Sequence, residues 1–193
     1  LHHLTTAAGV AKYRALLAAT GAPLLAGLDN GRGGFLTHPV PDAGFGARHE
    51  VEYCNAVAAL LGAPPDTGPL VFTLTGADRT AAAALLGEAD GRPLAVLHPG
   101  AGGFSVARRW PADRFATVAR TLHAAGIRVV LVGGPDETAL ATEVAAGAEG
   151  GVTNLAGRTS LGALGAVLER ADVFVGNDSG VTHIAAAVGA PVV

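Results

Sequence analysis

Three loops of this sequence concentrate residues able to hold an anion. The first, His98-Pro-Gly-Ala-Gly-Gly-Phe-Ser-Val-Ala-Arg-Arg-Trp110, follows an apolar run and precedes a helix opening at Pro111. Its glycines free backbone N–H groups to face a ligand, and Arg108 and Arg109 add positive charge, so an oxyanion, most simply a phosphate, fits. A solvated loop whose Trp110 anchors the next helix fits the same residue types. Gly100-Ala-Gly102 is half of a G-x-G-x-x-G with Ser105 at the third glycine, which falls short of a dinucleotide fingerprint.

The second loop is Gly133-Gly-Pro-Asp-Glu137. Its paired glycines allow a tight exit from a strand, and Asp136 and Glu137 fall in the first turn of the next helix. Acidic residues there either complement the helix dipole or accept from ribose hydroxyls, as they do at strand ends in nucleotide folds. The third, Gly176-Asn-Asp-Ser-Gly-Val-Thr-His183, leads into a helix whose free N–H groups attract anions. Asp178 or Ser179 is placed as N-cap and His183 falls in the first turn; an ordinary cap with a surface histidine is the alternative. Asp178 would cap amides or accept from sugar hydroxyls, because a carboxylate repels a phosphate.

Several chemistries are excluded by the residues present. Lys12 is the only lysine, so there is no Walker A motif, and no D-x-D pair occurs to bridge a metal to a diphosphate. No Cys/His spacing suits zinc, the pair His2-His3 included. His49-Glu50 does not continue as H-E-x-x-H, and His49 reads as the N-terminal residue of a helix. Asn177-Asp-Ser-Gly180 resembles the surroundings of a serine-protease nucleophile, but those enzymes are β-barrels and here the serine joins a strand to a helix. Nor is it G-x-S-x-G, so a hydrolase elbow is out of register.

The elements that must position these loops follow from periodicity. Strands are expected at 70–74, 94–98, 127–132, 152–155, 173–175 and from 191, and helices at 77–88, 111–125, 137–146, 161–170 and 181–188. The alternation, with uniformly apolar strands, predicts a parallel sheet covered by helices on both faces, a Rossmann-like α/β domain. Upstream, a helix over 5–20, a short strand over 23–28, a glycine-rich loop over 29–47 and a helix over 49–61 are expected. That last helix is expected to turn Val51, Cys54, Val57, Ala58 and Leu61 to one face. The segment 62–69, Gly-Ala-Pro-Pro-Asp-Thr-Gly-Pro, reads as a linker between a remnant at 1–63 and a domain at 70–193.

Composition sets the outer bounds. Half of the 193 residues are hydrophobic and 15% charged, which excludes a disordered chain. A net charge of −3 gives no electrostatic reason to bind nucleic acid. A single cysteine, Cys54, suits a reducing compartment, and no apolar run is long enough to cross a bilayer. Met is absent and the chain closes as a strand begins, so an internal piece of a longer protein is expected.

Three segments together resemble one family. They are His98-Pro-Gly-Ala-Gly…Arg-Arg-Trp-Pro111, Val129-Val-Leu-Val-Gly-Gly-Pro-Asp-Glu137, and Asn154-Leu-Ala-Gly-Arg-Thr-Ser-Leu161 followed by Ala171-Asp-Val-Phe-Val-Gly-Asn-Asp-Ser-Gly-Val-Thr-His183 and Ala190-Pro-Val192. In that order they are similar to the family 9 glycosyltransferases, the ADP-heptose:lipopolysaccharide heptosyltransferases. The resemblance implies a GT-B fold, two Rossmann-like domains, with the C-terminal one holding the donor. It implies inverting, metal-independent transfer from an ADP-sugar, with no cofactor, to a lipopolysaccharide core or similar glycan or glycolipid acceptor. It places the enzyme in the cytoplasm, at the inner face of the membrane through its N-terminal domain. Gly100 and Ala101 would offer amides to the diphosphate, Arg108 would face phosphate, Glu137 would hold the ribose and Thr159 would border the adenine. Asp178, Ser179, Gly180 and His183 would meet the diphosphate and donor sugar. The family's catalytic base is an acidic residue near the start of the N-terminal domain, outside this sequence. A nucleotide-binding module without transfer activity, or an epimerase of similar architecture, is the alternative.

Overall fold

The computed structural model describes residues 6–44, 46–66, 68–102 and 106–193. Gly103, Phe104 and Ser105 of the first loop, and His2-His3, lie outside the described residues. The chain divides into two compact units, Leu1–Gly68 and Pro69–Val193.

In the first unit, helix α1 (Ala7–Thr20) is capped by Thr6, whose hydroxyl accepts from the Gly9 amide, and stops at Gly21 in the left-handed conformation. Strands β1 (Ala26–Asp29) and β2 (His38–Pro41) pair in parallel, and α2 (Glu50–Ala59) packs over them. Two expectations are corrected here. Part of the glycine-rich loop is β2, whose Pro39 and Pro41 are compatible with a ladder that has two strands among the described residues. The inward face of α2 is Tyr53 with Ala56 and Val57, while Val51, Cys54 and Leu61 are exposed. Tyr53 is the larger apolar body and its hydroxyl has partners inside, accepting from the Ala43 amide and donating to the Gly44 carbonyl.

In the second unit, β3 (Leu94–His98), β4 (Arg128–Leu131), β5 (Val152–Asn154) and β6 (Val173–Gly176) form one parallel sheet in the order β5-β4-β3-β6. A parallel bridge from Phe174 to Val192 adds the chain end beside β6. Alternate side chains divide between two cores, which is why these strands are apolar throughout. Leu94, Val96, Val130, Val132 and Phe174 meet α3 (Gly76–Leu86), α6 (Leu161–Glu169) and α7 (Gly180–Ala187). Ala95, Leu97, Val129 and Leu131 meet α4 (Ala112–Ala124) and α5 (Thr138–Gly147) on the opposite face.

The strand expected at 70–74 is not one. Phe72 and Leu74 instead lie across α6 at Gly165, where any Cβ would strike both side chains. Phe72 and Leu74 are spent on that helix while Leu70 and Val71 face solvent, and among the described residues the segment has no ladder partner.

The chain runs outward from β3 to β4 to β5, then returns to place β6 on the other side of β3. That reversal opens a crevice beyond the carboxyl ends of β3 and β6, the usual ligand position in such sheets.

Candidate functional site

His98 ends β3 as the only polar residue of that strand, and it is 2% exposed. Its Nε2 lies 3.0 Å from Glu137 Oε2 and its Nδ1 3.3 Å from Ser179 Oγ. A carboxylate only accepts, so Nε2 carries the proton; a neutral ring then accepts the Ser179 hydroxyl at Nδ1.

Glu137 closes a one-turn 3₁₀ helix (Pro135–Glu137) after β4 and is 5% exposed. Its Oε1 accepts from the Gly102 amide at 3.0 Å, and its Oε2 from the Gly134 amide at 3.0 Å. Burial pushes its pKa up, but the hydrogen bonds from Gly134, His98 and Gly102 outweigh it and hold the carboxyl below the usual range. The carboxylate therefore ties the loop after β3 to the loop after β4. Among the described residues, donors take three of its four lone pairs, and the fourth lies on Oε1.

Asn177, just beyond β6, performs the matching task on the other side. Its Nδ2 donates to the carbonyls of Pro99 (2.8 Å) and Gly100 (3.0 Å), and its Oδ1 accepts from the Trp110 amide at 3.0 Å. One side chain thus pins both ends of the β3–α4 loop. Trp110 also packs edge-on against Phe115, the rings 5.3 Å apart. Thr182 Oγ1 donates to the Asn177 carbonyl at 2.7 Å, fixing the entrance to α7.

These constraints leave a cleft of about 290 Å³ walled by Ala101, Gly102, Asp136, Leu161, Ser179 and Gly180, with His98 and Glu137 beneath and Val181 and Ile184 on the α7 side. Across the loops above it, Arg108 Nη1 pairs with Asp178 Oδ2 at 2.8 Å, with both side chains more than half exposed. The cleft therefore has an apolar part at Leu161, Val181 and Ile184, and a polar part where α7 begins.

The expected site residues fare unequally. Gly100, Ala101, Glu137, Ser179 and Gly180 converge on or beneath the cleft, and Arg108 and Asp178 meet each other. Ser179 rather than Asp178 is the N-cap of α7, but its hydroxyl makes no capping bond and turns to His98 instead. Thr159 is half-buried on the turn before α6 and does not line the cleft; Leu161 takes that wall. His183 is exposed and lies roughly 100° around α7 from the face carrying Gly180, Val181 and Ile184, at 3.6 residues per turn. Arg109 is half-buried and its Nη2 points to the Gly102 carbonyl of its own loop.

His98, Asn177, Leu161, Val181 and Ile184 were not among the residues expected in the site. A signal existed for the first: a histidine closing an otherwise wholly apolar strand has to find partners at the strand's carboxyl end.

Comparison with known proteins agrees with this architecture. The family model described as glycosyltransferase family 9 (heptosyltransferase) matches residues 7–193. A lipopolysaccharide heptosyltransferase 3 of Escherichia coli is 40% identical over 106 residues, covering 53% of this chain and 31% of the relative. A lipooligosaccharide heptosyltransferase 2 of Haemophilus influenzae is 36% identical over 114 residues, covering 57% and 32%. This chain thus spans about a third of the length of those curated relatives. Among solved structures, ADP-heptose lps heptosyltransferase II of E. coli superimposes with a TM-score of 0.69 at 25% identity, over 94% of this chain and 58% of that one. A family 9 glycosyltransferase of Veillonella parvula, at 23% identity, shares the fold with a TM-score of 0.72 over 96% of this chain and 60% of its own. The fold class is α/β of the GT-B type.

Proposed function

The chain belongs to glycosyltransferase family 9, and from that premise we propose that its second unit is the donor-binding domain of an enzyme transferring heptose from ADP-heptose to a lipopolysaccharide core. In this reading the first unit belongs to the acceptor-side domain. The convergence of the β3–α4 and β6–α7 loops on one cleft, bridged by Arg108 and Asp178, carries the reading. An E. coli heptosyltransferase solved with ADP, 25% identical over 82% of this chain with a TM-score of 0.56, supports the choice of nucleotide.

The base would lie against Leu161, Val181 and Ile184, and a ribose hydroxyl would donate to the remaining lone pair of Glu137 Oε1. The diphosphate would meet the amides of Ala101 and the start of α7, with Arg108 exchanging Asp178 for a phosphate oxygen. Transfer proceeds by attack of an acceptor hydroxyl on the anomeric carbon, with inversion, the hydroxyl proton passing to an acidic residue of the acceptor-side domain. The bond to the diphosphate breaks, and the charge left on it is stabilised by Arg108 and the α7 amides. That cation, and a sequence without D-x-D, support a metal-independent step. In this reading the reaction takes place in the cytoplasm, and contact with the inner membrane face would come through the acceptor side.

Calorimetry with ADP tests the donor site. Binding without Mg²⁺ that weakens in Arg108→Ala is expected; binding that depends on Mg²⁺, or that ignores Arg108, refutes it. Sugar transfer by the whole protein, assayed on an ADP-heptose donor, separates the enzyme from a binding module.

A further inference from the structure

We propose that His98 is a positioning residue that takes up a proton when the donor diphosphate binds. The inference rests on the donor reading above and concerns how that site answers its ligand.

In the free chain the Ser179 hydroxyl has a choice of acceptors, and the nearest is His98 Nδ1 at 3.3 Å; Thr182 Oγ1 is at 3.5 Å. Ser179 also lines the cleft at the first turn of α7. A phosphate oxygen arriving there is a stronger, charged acceptor, so the hydroxyl proton turns to it. Nδ1 then faces a bare oxygen with no hydrogen between them. At 2% exposure no bulk water repairs that mismatch, and an unpaired buried acceptor costs free energy. A proton from solvent on Nδ1 resolves it. Nδ1–H then donates to Ser179 Oγ, Nε2–H still donates to Glu137, and Ser179 O–H donates to the phosphate.

The charges around the ring favour this outcome. Glu137, on the turn after β4, holds a carboxylate on Nε2 at 3.0 Å. Asp136 lines the same cleft. The positive end of α7 opposes an imidazolium, and the bound diphosphate cancels it. On the β6–α7 loop, the Asp178 carboxylate is held by Arg108, and His183 is exposed away from the cleft. The imidazolium would stand between two anions, bonded directly to the Glu137 carboxylate and through the Ser179 hydroxyl to the diphosphate.

The experiment uses the full chain and ADP-ribose, a nucleotide sugar whose fully esterified diphosphate does not itself titrate near neutrality. Its binding heat is measured at pH 7.5 in PIPES and in Tris, which differ in ionisation enthalpy. Uptake of about half a proton or more per nucleotide is expected, with affinity falling about threefold or more between pH 7.5 and 8.5. Imidazole ¹⁵N spectra should show Nδ1 of His98 passing from acceptor to protonated. In His98→Gln, which cannot titrate, uptake should fall near zero; should that variant not fold, the native proton count and spectra decide alone. Binding with no proton uptake, or uptake while Nδ1 stays unprotonated, overturns the inference and leaves the donor reading standing. No binding at all overturns both.

Discussion

Gly100→Ala tests the internal lock of the site. A Cβ at Gly100 would overlap the Glu137 carboxylate: Oε1 and Cδ lie well inside contact distance, and even Oε2 is 2.6 Å away. The carboxylate must swing out or the loop must move, and either loosens its bonds from His98, Gly102 and Gly134. Each hydrogen bond to a charged group is worth about 1.5–3 kcal/mol net, and loop relaxation recovers part of the sum. Breaking a buried charged pair costs about 3–5 kcal/mol, which brackets the expected loss. The backbone adds no strain, since Gly100 is not in the left-handed region, and Gly→Ala stiffens the unfolded chain by about 0.4–1 kcal/mol. The net expectation is about 2–4 kcal/mol, or a fall in Tm of roughly 10 °C for a unit of this size. Thermal unfolding followed by circular dichroism measures it, and the same substitution in a Glu137→Ala background supplies the control. With the carboxylate gone, Gly100→Ala should cost less than about 0.5 kcal/mol. Equal losses in both backgrounds, or a native-background loss under about 1 kcal/mol, would refute the reasoning.

Three further outcomes are expected. Asn177→Ala leaves the carbonyls of Pro99 and Gly100 and the Trp110 amide unpaired in a buried place, and should cost about 2–4 kcal/mol in chemical denaturation at roughly 1–3 kcal/mol per orphaned group, less what water recovers. Arg108→Ala should leave stability within about 0.5 kcal/mol, because its pair with Asp178 is exposed, yet weaken ADP about 10- to 100-fold in low salt. Glu137, with its folded pKa held below its unfolded value of about 4.3, contributes its full stability above that value and loses it as pH falls through the folded one. A Glu137→Gln chain should therefore be less stable near neutrality and show a flatter acid limb in pH-dependent unfolding.

The sheet was legible because its strands are buried on both faces. Leu94-Ala-Val-Leu97 and Val129-Val-Leu-Val132 each feed two cores, so no register could hide an apolar run, and helices had to cover both sides. The same criterion misled at 70–74, since an apolar run packs equally well across a helix, and only the absence of a side chain at Gly165 decides where Phe72 goes. It also missed β2, where Pro39 and Pro41 read as loop residues and their tolerance depends on ladder position, which sequence does not display. In α2, helical spacing put Val51, Cys54, Val57, Ala58 and Leu61 on one face, whereas the hydroxyl partners of Tyr53 in the loop after β2 turn Tyr53 inward.

For the site, sequence indicated the loops but mistook part of the reason for their glycines. Gly100 read as a place where a backbone amide could approach a phosphate, and Gly133 and Gly134 as a tight exit from a strand. In the folded chain all three crowd around Glu137: a Cβ would overlap the carboxylate at Gly100, and would sit 3.1 Å from Oε2 at Gly133 and 3.9 Å from it at Gly134. The close approach that glycine permits here is first to the protein's own buried anion. That anion accepts from two of the loops' amides and from His98, and so sets where the remaining donors, Ala101 and the first turn of α7, can face a ligand. A glycine-rich loop beside an acidic residue is therefore evidence about preorganisation before it is evidence about phosphate. The distinction has a consequence for variants: substitutions at these glycines should damage folding and binding together, whereas Arg108, exposed and outside the lock, should damage binding alone.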